Sequence, residues 1–219
     1  MDFGNMIGES FEYAKAAVAG NYKKWLMLVI ATILLGIPLF GYLMKVLRGE
    51  TPSPEVEDWG TLLVDGIKYL VVALIYAIPL IIVGIIVVRA GIAGIMSGTS
   101  ADMMTVFGLI AAGMVITFVI AIFIAVFEIT GVVRLARTGR IREAFNFNEI
   151  LVKIKKLGWG HYLIAIGILI ITGFIMEIIF NVLMIIPVLG GIICLFLIAP
   201  FALFIACYIC LIYDNAGIV

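Results

Sequence analysis

Few side chains in this sequence have the types and the spacing that chemistry requires. Glu177 and Asn181 lie four residues apart inside a long apolar segment, so a helix places them on one face. An acidic side chain in hydrocarbon is costly and marks a functional candidate. Two interpretations stay open: a proton- or cation-linked transport site, or a structural carboxyl group that Asn181 and a neighbouring helix satisfy.

Cysteine and histidine offer little potential for metal binding or redox chemistry. Cys207 and Cys210 have CxxC spacing, but they lie with Cys194 inside the last apolar segment, where small apolar side chains pack between helices. No second pair of ligands lies nearby to complete a tetrahedral metal site. The one histidine, His161, begins an apolar segment and is expected at the membrane interface. We therefore expect no metal and no cofactor.

The sequence also lacks the motifs of common enzyme classes. It contains no P-loop, HExxH, GxSxG, GxGxxG or EF-hand pattern. With one histidine and no paired acids in the apolar segments, general acid–base catalysis has few candidate residues. We expect a protein that is not an enzyme and has no catalytic residues. Its formal net charge of zero gives no indication of a nucleic-acid partner.

The elements that position these residues are long apolar segments. Apolar residues form 65% of the 219-residue chain and charged residues 13%, against about 45–50% and about 25% in soluble domains. A helix needs about 20 apolar residues to cross a bilayer. The sequence predicts one all-α integral membrane domain with four or five transmembrane helices. The segments concerned are 25–44, 69–88, 105–127, 162–186 and 188–213.

Amphipathic segments flank these spans. Residues 1–22 have apolar side chains at helical spacing and predict an interfacial helix. The connection 134–160 is basic and predicts a second amphipathic helix on the cytoplasmic membrane surface. The connection 89–102 is expected to be a plain loop. Contacts with anionic headgroups or a partner protein are expected from Arg134, Arg137, Arg140, Arg142, Lys153 and Lys156.

Basic residues also predict the orientation, because cytoplasmic connections carry the excess of Lys and Arg. Connection 128–161 is rich in both, so it is predicted to be cytoplasmic, and 45–68 shares its side. The cell (cytoplasmic) membrane is the expected location of this multi-pass protein.

Segment 25–44 has two possible paths. If it crosses the membrane, the N-terminus and its three lysines lie outside. If it turns back at Gly36–Pro38 as a re-entrant hairpin, Arg89 is the one basic residue left outside. A turn in lipid leaves backbone groups unsatisfied unless protein covers it. The sequence leaves both paths open.

Two blocks of sequence carry a resemblance to a known family. The first, residues 41–69, contains GYLMKVLRGE and EDWG, and the second, residues 134–162, contains RLARTG and GWGHY. Together they resemble an archaeal family of membrane proteins catalogued as domain of unknown function 4013. The resemblance implies an archaeal cell membrane and a multi-spanning helical fold, and it brings no activity or site residues. The blocks also faintly resemble each other, with a basic pair in each (Lys45 and Arg48, Arg134 and Arg137).

These observations predict a non-enzymatic membrane protein that organises lipid or partner proteins through its basic, amphipathic cytoplasmic segments. Its expected partners are membrane lipids with anionic headgroups, and a homo-oligomer or a membrane complex is compatible with the sequence. The alternative is an oligomeric channel or a transporter of ions or small solutes that uses Glu177 and Asn181.

Overall fold

All regular elements in the described part of the chain are helices. The computed structural model describes residues 2–96 and 103–215. Its α-helices are α1 (Phe3–Val18), α2 (Tyr22–Ile33), α3 (Ile37–Leu47), α4 (Trp59–Met96), α5 (Met103–Thr138), α6 (Phe147–Leu157), α7 (Trp159–Leu183) and α8 (Leu189–Asn215). A short 3-10 helix, Ile141–Phe145, lies between α5 and α6. The predicted all-α fold is confirmed.

Four of these helices are long and apolar enough to cross a membrane. The spans are Trp59–Gly94, Met104–Thr138, Trp159–Leu183 and Leu189–Asn215. Even the shortest, at 25 residues, is about 37 Å long, against about 30 Å of hydrocarbon. Their surfaces expose many isoleucine, valine and phenylalanine side chains, as lipid contact requires. The chain is therefore a multi-pass membrane protein.

Helix α4 is longer than its apolar pattern predicts. It continues to Met96, through the first part of the segment that the sequence predicts as a loop. The rest of that segment, residues 97–102, lies outside the described residues.

Segment 25–44 forms two short helices instead of one long helix. Helices α2 and α3 have 12 and 11 residues, about 18 and 16 Å, so neither is long enough to cross. They are joined by a turn in which Leu35 and Gly36 both have positive φ, 57° and 71°. The Lys24 ammonium donates to the Ser53 carbonyl at 2.7 Å, and the Tyr42 hydroxyl donates to the Pro54 carbonyl at 2.7 Å.

Because Ser53 and Pro54 are neighbours, the start of α2 and the end of α3 lie at the same end of the hairpin. This is the geometry of the re-entrant path. The tip of the hairpin is apolar and exposed, with Leu35 at 85% exposure. A tip of this kind is suited to hydrocarbon and not to water.

The amphipathic N-terminal helix packs along α8. The Asp2 carboxylate caps α1 by accepting a hydrogen bond from the Asn5 amide at 3.1 Å. One stripe of α1, including Met6, Ser10 and Ala17, is buried. Glu12 and Lys15 lie on its exposed side, 3.4 Å apart. One face of α1 is thus covered by protein, whereas Phe11 stays exposed at 59%. The interfacial, amphipathic role predicted for residues 1–22 stays a prediction.

The described chain divides into two compact units. One contains the residues up to 72 and those from 129 onward, and the other contains residues 73–128. In the second unit, α4 and α5 approach closely, since a Cβ added at Gly113 would lie 2.5 Å from Cγ2 of Val87. All the predicted site residues belong to the first unit.

Candidate functional site

Two arginines join the ends of α3 and α5 in the first unit. The Arg48 Nε donates to the Ala136 carbonyl at 2.9 Å, and the Arg137 Nε donates to the Leu47 carbonyl at 3.4 Å. Each arginine thus satisfies a carbonyl in the last turn of the other helix. A cation is favourable there because the helix C-terminus carries partial negative charge. The exchange fixes the two helix ends against each other.

Each of these arginines also has an acidic partner. Arg48 pairs with Asp65, a buried side chain of α4, and the Lys68 ammonium lies 3.2 Å from the same carboxylate. Arg137 lies 2.6 Å from Asp214 near the end of α8. Because a guanidinium has five donors in a fixed plane, one arginine can bind a carbonyl and a carboxylate together.

The third arginine, Arg134, binds the segment that follows α5. Its Nη2 lies 2.5 Å from Oε2 of Glu143, and its Nη1 lies 3.7 Å from Glu149. The Arg134 guanidinium beside Glu143 lowers the pKa of that carboxyl below its ordinary value. The Asn146 side chain accepts a hydrogen bond from the Glu149 amide and caps α6. We call Arg48, Arg134 and Arg137 with their acidic partners the arginine network.

Tyr213 of α8 adds an aromatic surface to this network. The Arg137 guanidinium lies 4.7 Å from the centre of the Tyr213 ring, and the Lys153 ammonium lies 4.2 Å from it. Both distances are within the range of a cation–π interaction. Burial, with a smaller effect of nearby Arg137, lowers the pKa of Lys153. Lys153 is thus held against α8.

Four other basic side chains at this end of the unit point outward. None of them forms an ion pair within residues 2–96 and 103–215, and all four are exposed. We call them the outer basic face: Arg140, Arg142, Lys155 and Lys156. Exposed apolar side chains accompany them along the chain, with Phe147 at 48%, Val152 at 47% and Trp159 at 41% exposure. Cations interleaved with apolar side chains are typical of a membrane-surface segment.

The structure thus divides the six basic residues that the sequence singles out into a group that contacts other helices and a group that points outward. Arg134 and Arg137 are engaged in the arginine network, and Lys153 lies on Tyr213. Arg140, Arg142 and Lys156 remain outward. Sequence reasoning did not include Arg48, Asp65 and Asp214 in the site. The matching basic pairs in the two blocks were the available signal for Arg48.

Glu177 and Asn181 are together on the exposed surface of α7. The Asn181 Nδ2 donates to Oε1 of Glu177 at 3.0 Å and to the Glu177 carbonyl at 2.8 Å. Both side chains are exposed. The pair is therefore formed within one helix, and it lies on the face of α7 that the first unit leaves uncovered.

Of the remaining candidates, Cys210 lies beside the arginine network, with its Sγ 3.4 Å from Nη2 of Arg137 and 3.5 Å from Oδ2 of Asp214. His161 stacks on Phe3 with ring centres 6.4 Å apart. The three cysteines are buried and unpaired by disulfides. Within the described residues, no group of three His, Cys, Asp or Glu side chains is arranged to hold a metal ion.

An apolar cavity of about 310 Å³ lies between α1, α7 and α8. Ten residues line it, including Phe11, Pro200 and Phe204, and its polar side chains are Lys15 and Thr172. This lining suits a hydrocarbon chain, since it offers little for acid–base or nucleophilic chemistry.

The model of a family described as "Protein of unknown function (DUF4013)" matches residues 25–185, more than half of the chain. The chain belongs to this family. No curated protein and no solved structure matches it. The archaeal origin that the resemblance implies stays a prediction.

The DUF4013 match covers most of the arginine network. It includes α2 through α7, with Arg48, Arg134 and Arg137, and it ends before α8. The carboxylate of Asp214 and the ring of Tyr213 therefore come from a helix beyond the matched residues. The family description assigns no activity, so function has to be inferred from the chain's own residues.

Proposed function

We propose that this DUF4013 protein is a non-enzymatic component of the cell membrane that binds anionic lipid headgroups through its outer basic face. The observation that carries the proposal is the division of the basic residues. Three arginines form ion pairs with internal acidic side chains, whereas no cation of the outer basic face forms an ion pair within the described residues. Unpaired cations beside exposed Phe147, Val152 and Trp159 suit the boundary between headgroups and hydrocarbon.

The charge distribution supports a cytoplasmic location for this face. With 25–44 as a hairpin, α1, connection 49–58 and connection 139–158 share one side, and this side holds most of the lysines and arginines. Basic residues are enriched in cytoplasmic connections. The cytoplasmic leaflet carries anionic lipid. Its attraction for each nearby Lys or Arg is worth about 1 kcal/mol. We propose that the outer basic face concentrates anionic lipid around the protein and so organises its surroundings.

The test uses the full-length protein reconstituted in mixed bilayers. Spin-labelled anionic and zwitterionic lipids report the fraction of each that is immobilised at the protein. We expect the wild type to prefer the anionic lipid. The preference should fall in high salt, and it should also fall in the variant Arg140→Gln, Arg142→Gln, Lys155→Gln, Lys156→Gln.

The matched control keeps all four charges and exchanges their types: Arg140→Lys, Arg142→Lys, Lys155→Arg, Lys156→Arg. It should retain the preference for anionic lipid, because attraction to a headgroup depends mainly on charge. Equal immobilisation of the two lipids by the wild type contradicts the proposal.

The second candidate function is transport by an oligomer, and one observation favours it. Glu177 and Asn181 form a polar pair on a helix surface that is otherwise apolar. Polar groups of this kind mark ion or solute pathways in many membrane proteins. Proton- or cation-dependent flux into proteoliposomes that is lost in Glu177→Gln supports transport. Absence of flux in the wild type excludes it for the solutes tested.

A further inference from the structure

The carboxyl group of the polar pair on α7 lies within the apolar part of the span. Glu177 is 18 residues beyond Trp159 and six before Leu183, which places it about 27 Å and about 9 Å from the two ends of the helix. Its neighbours on the exposed surface are apolar, with Phe174 at 67% and Ile178 at 49% exposure. Ionisable residues within a membrane almost always face protein or water instead of lipid. The exposed pair therefore requires a covering partner.

Its unused hydrogen-bonding groups define that partner. The Asn181 amide nitrogen has two hydrogens, and both are directed to Glu177, one to the carbonyl at 2.8 Å and one to Oε1 at 3.0 Å. Two groups are left over. Oδ1 of Asn181 is an acceptor, and Oε2 of Glu177 carries the O–H donor when the carboxyl is uncharged. No hydrogen bond to either atom occurs within the described residues. One donor and one acceptor are thus presented side by side.

A surface with one donor beside one acceptor is complementary to a second copy of itself. Rotation about a two-fold axis along the membrane normal keeps both groups at the same depth and places each donor opposite the other acceptor. We propose that a second copy of this chain binds here, α7 against α7, with the Glu177 carboxyl of each copy donating to Asn181 of the other. This interface is separate from the outer basic face.

The backbone of α7 permits close approach at this position. Gly173 is one turn before Glu177, and a Cβ added there would meet no atom within 4 Å. Gly173, Glu177 and Asn181 follow each other at intervals of four residues and lie on one stripe of the helix. Small residues let membrane helices pack closely enough for interhelical hydrogen bonds. The hydrogen-bonding pair specifies the partner, and Gly173 leaves room for it.

The test measures dimerisation of the full-length protein in bilayers. Energy transfer between donor- and acceptor-labelled copies is followed as the protein is diluted with lipid. We expect the Glu177→Leu dimer and the Asn181→Leu dimer to be weaker than the wild-type dimer. Each should dissociate at a dilution with lipid that is roughly ten times lower. Glu177→Gln should dimerise like the wild type, because its amide supplies both a donor and an acceptor. Ile171→Leu, an exposed position off this stripe, is the matched control.

Disulfide trapping checks the interface without changing the polar pair. In a background without the three native cysteines, Ile170→Cys, on the face of Glu177 and Asn181, should cross-link two copies, and Ile179→Cys, on the opposite face, should not. A wild type that stays monomeric at every dilution overturns the proposal, and so do dimers that tolerate both leucine variants. The lipid-binding proposal has its own readout, since the variant lacking the four outward charges should still dimerise.

Discussion

Arginine acts in two different ways at one end of the first unit. Arg48 and Arg137 each bind a main-chain carbonyl of a neighbouring helix and a carboxylate at once. A lysine could not reproduce this arrangement, because its ammonium group is a point charge without a planar set of donors. Arg140 and Arg142 have no such partners in the described residues and stay exposed. Whether an arginine holds helices together or lies at the surface therefore depends on its position relative to the other helices.

The ion pair of Glu143 with Arg134 makes stability depend on pH. The pKa of Glu143 is lower in the folded protein than its ordinary value, so the carboxylate stabilises the fold. This contribution is complete above the pKa of an unfolded glutamate, about 4.3, and is lost as the pH falls through the folded-state pKa. We therefore expect Glu143→Gln to lower the thermal midpoint at pH 7, and we expect the difference from the wild type to shrink as the pH falls below 4.

Thermal unfolding in detergent across this pH range measures the effect. Glu12→Gln is the control, because its ion pair with Lys15 is exposed at both partners and contributes little to stability. A difference between wild type and Glu143→Gln that stays constant from pH 7 to pH 3 contradicts the assignment.

At the scale of elements, the hairpin depends on two glycines. A Cβ added at Gly41 of α3 would lie 1.9 Å from the Leu62 carbonyl oxygen, and one added at Gly66 of α4 would lie 1.9 Å from the Ile37 carbonyl oxygen. Both distances are far shorter than any tolerated contact, so α3 and α4 pack backbone against backbone. This contact also supplies a protein surface next to the hairpin, where its backbone groups need cover in a membrane.

We expect Gly66→Ala to destabilise the protein by about 3 kcal/mol, because α3 and α4 must separate to admit the methyl group. The measurement is the free energy of unfolding in detergent. Gly60→Ala is the matched control in the same helix, since a Cβ there would meet no atom within 4 Å. Equal stabilities for the two variants would show that the helices are not in backbone contact.

At the scale of the whole molecule, the hairpin decides the topology. The four spanning helices found in the described residues leave α1 and the end of α8 on one side if 25–44 does not cross. Contacts within the first unit agree with this arrangement: the Asn215 amide lies 3.7 Å from the Met6 sulfur, and Asp214 pairs with Arg137. Helix α1 and the end of α8 are thus held close together.

We expect a cysteine introduced at Gly4 and one introduced at Asn148 to react with an impermeant label from the same side of the membrane. Both residues are exposed, and the native cysteines, which are buried, are first replaced. Arg89→Cys, near the other end of α4, should react from the opposite side. Labelling of Gly4 and Asn148 from opposite sides would instead require 25–44 to cross the membrane.

The sequence by itself determined the class of the protein and the presence of its long apolar helices. Long apolar runs form helices in a membrane, because the backbone must satisfy its own hydrogen bonds. The helical spacing of apolar residues in 1–22 likewise required no knowledge of distant residues, and α1 forms there.

Tertiary structure alone decided which polar groups are satisfied. Arg48 meets a carbonyl 88 residues away, and Arg137 and Asp214 lie 77 positions apart in the chain. The turn at Leu35 and Gly36 was undecided in the sequence, because glycine and proline are tolerated inside membrane helices as well as between them. The same limit applied to Glu177, whose exposed position depends on which face of α7 the other helices cover. Pairing and exposure depend on distances between elements, which a local pattern does not contain.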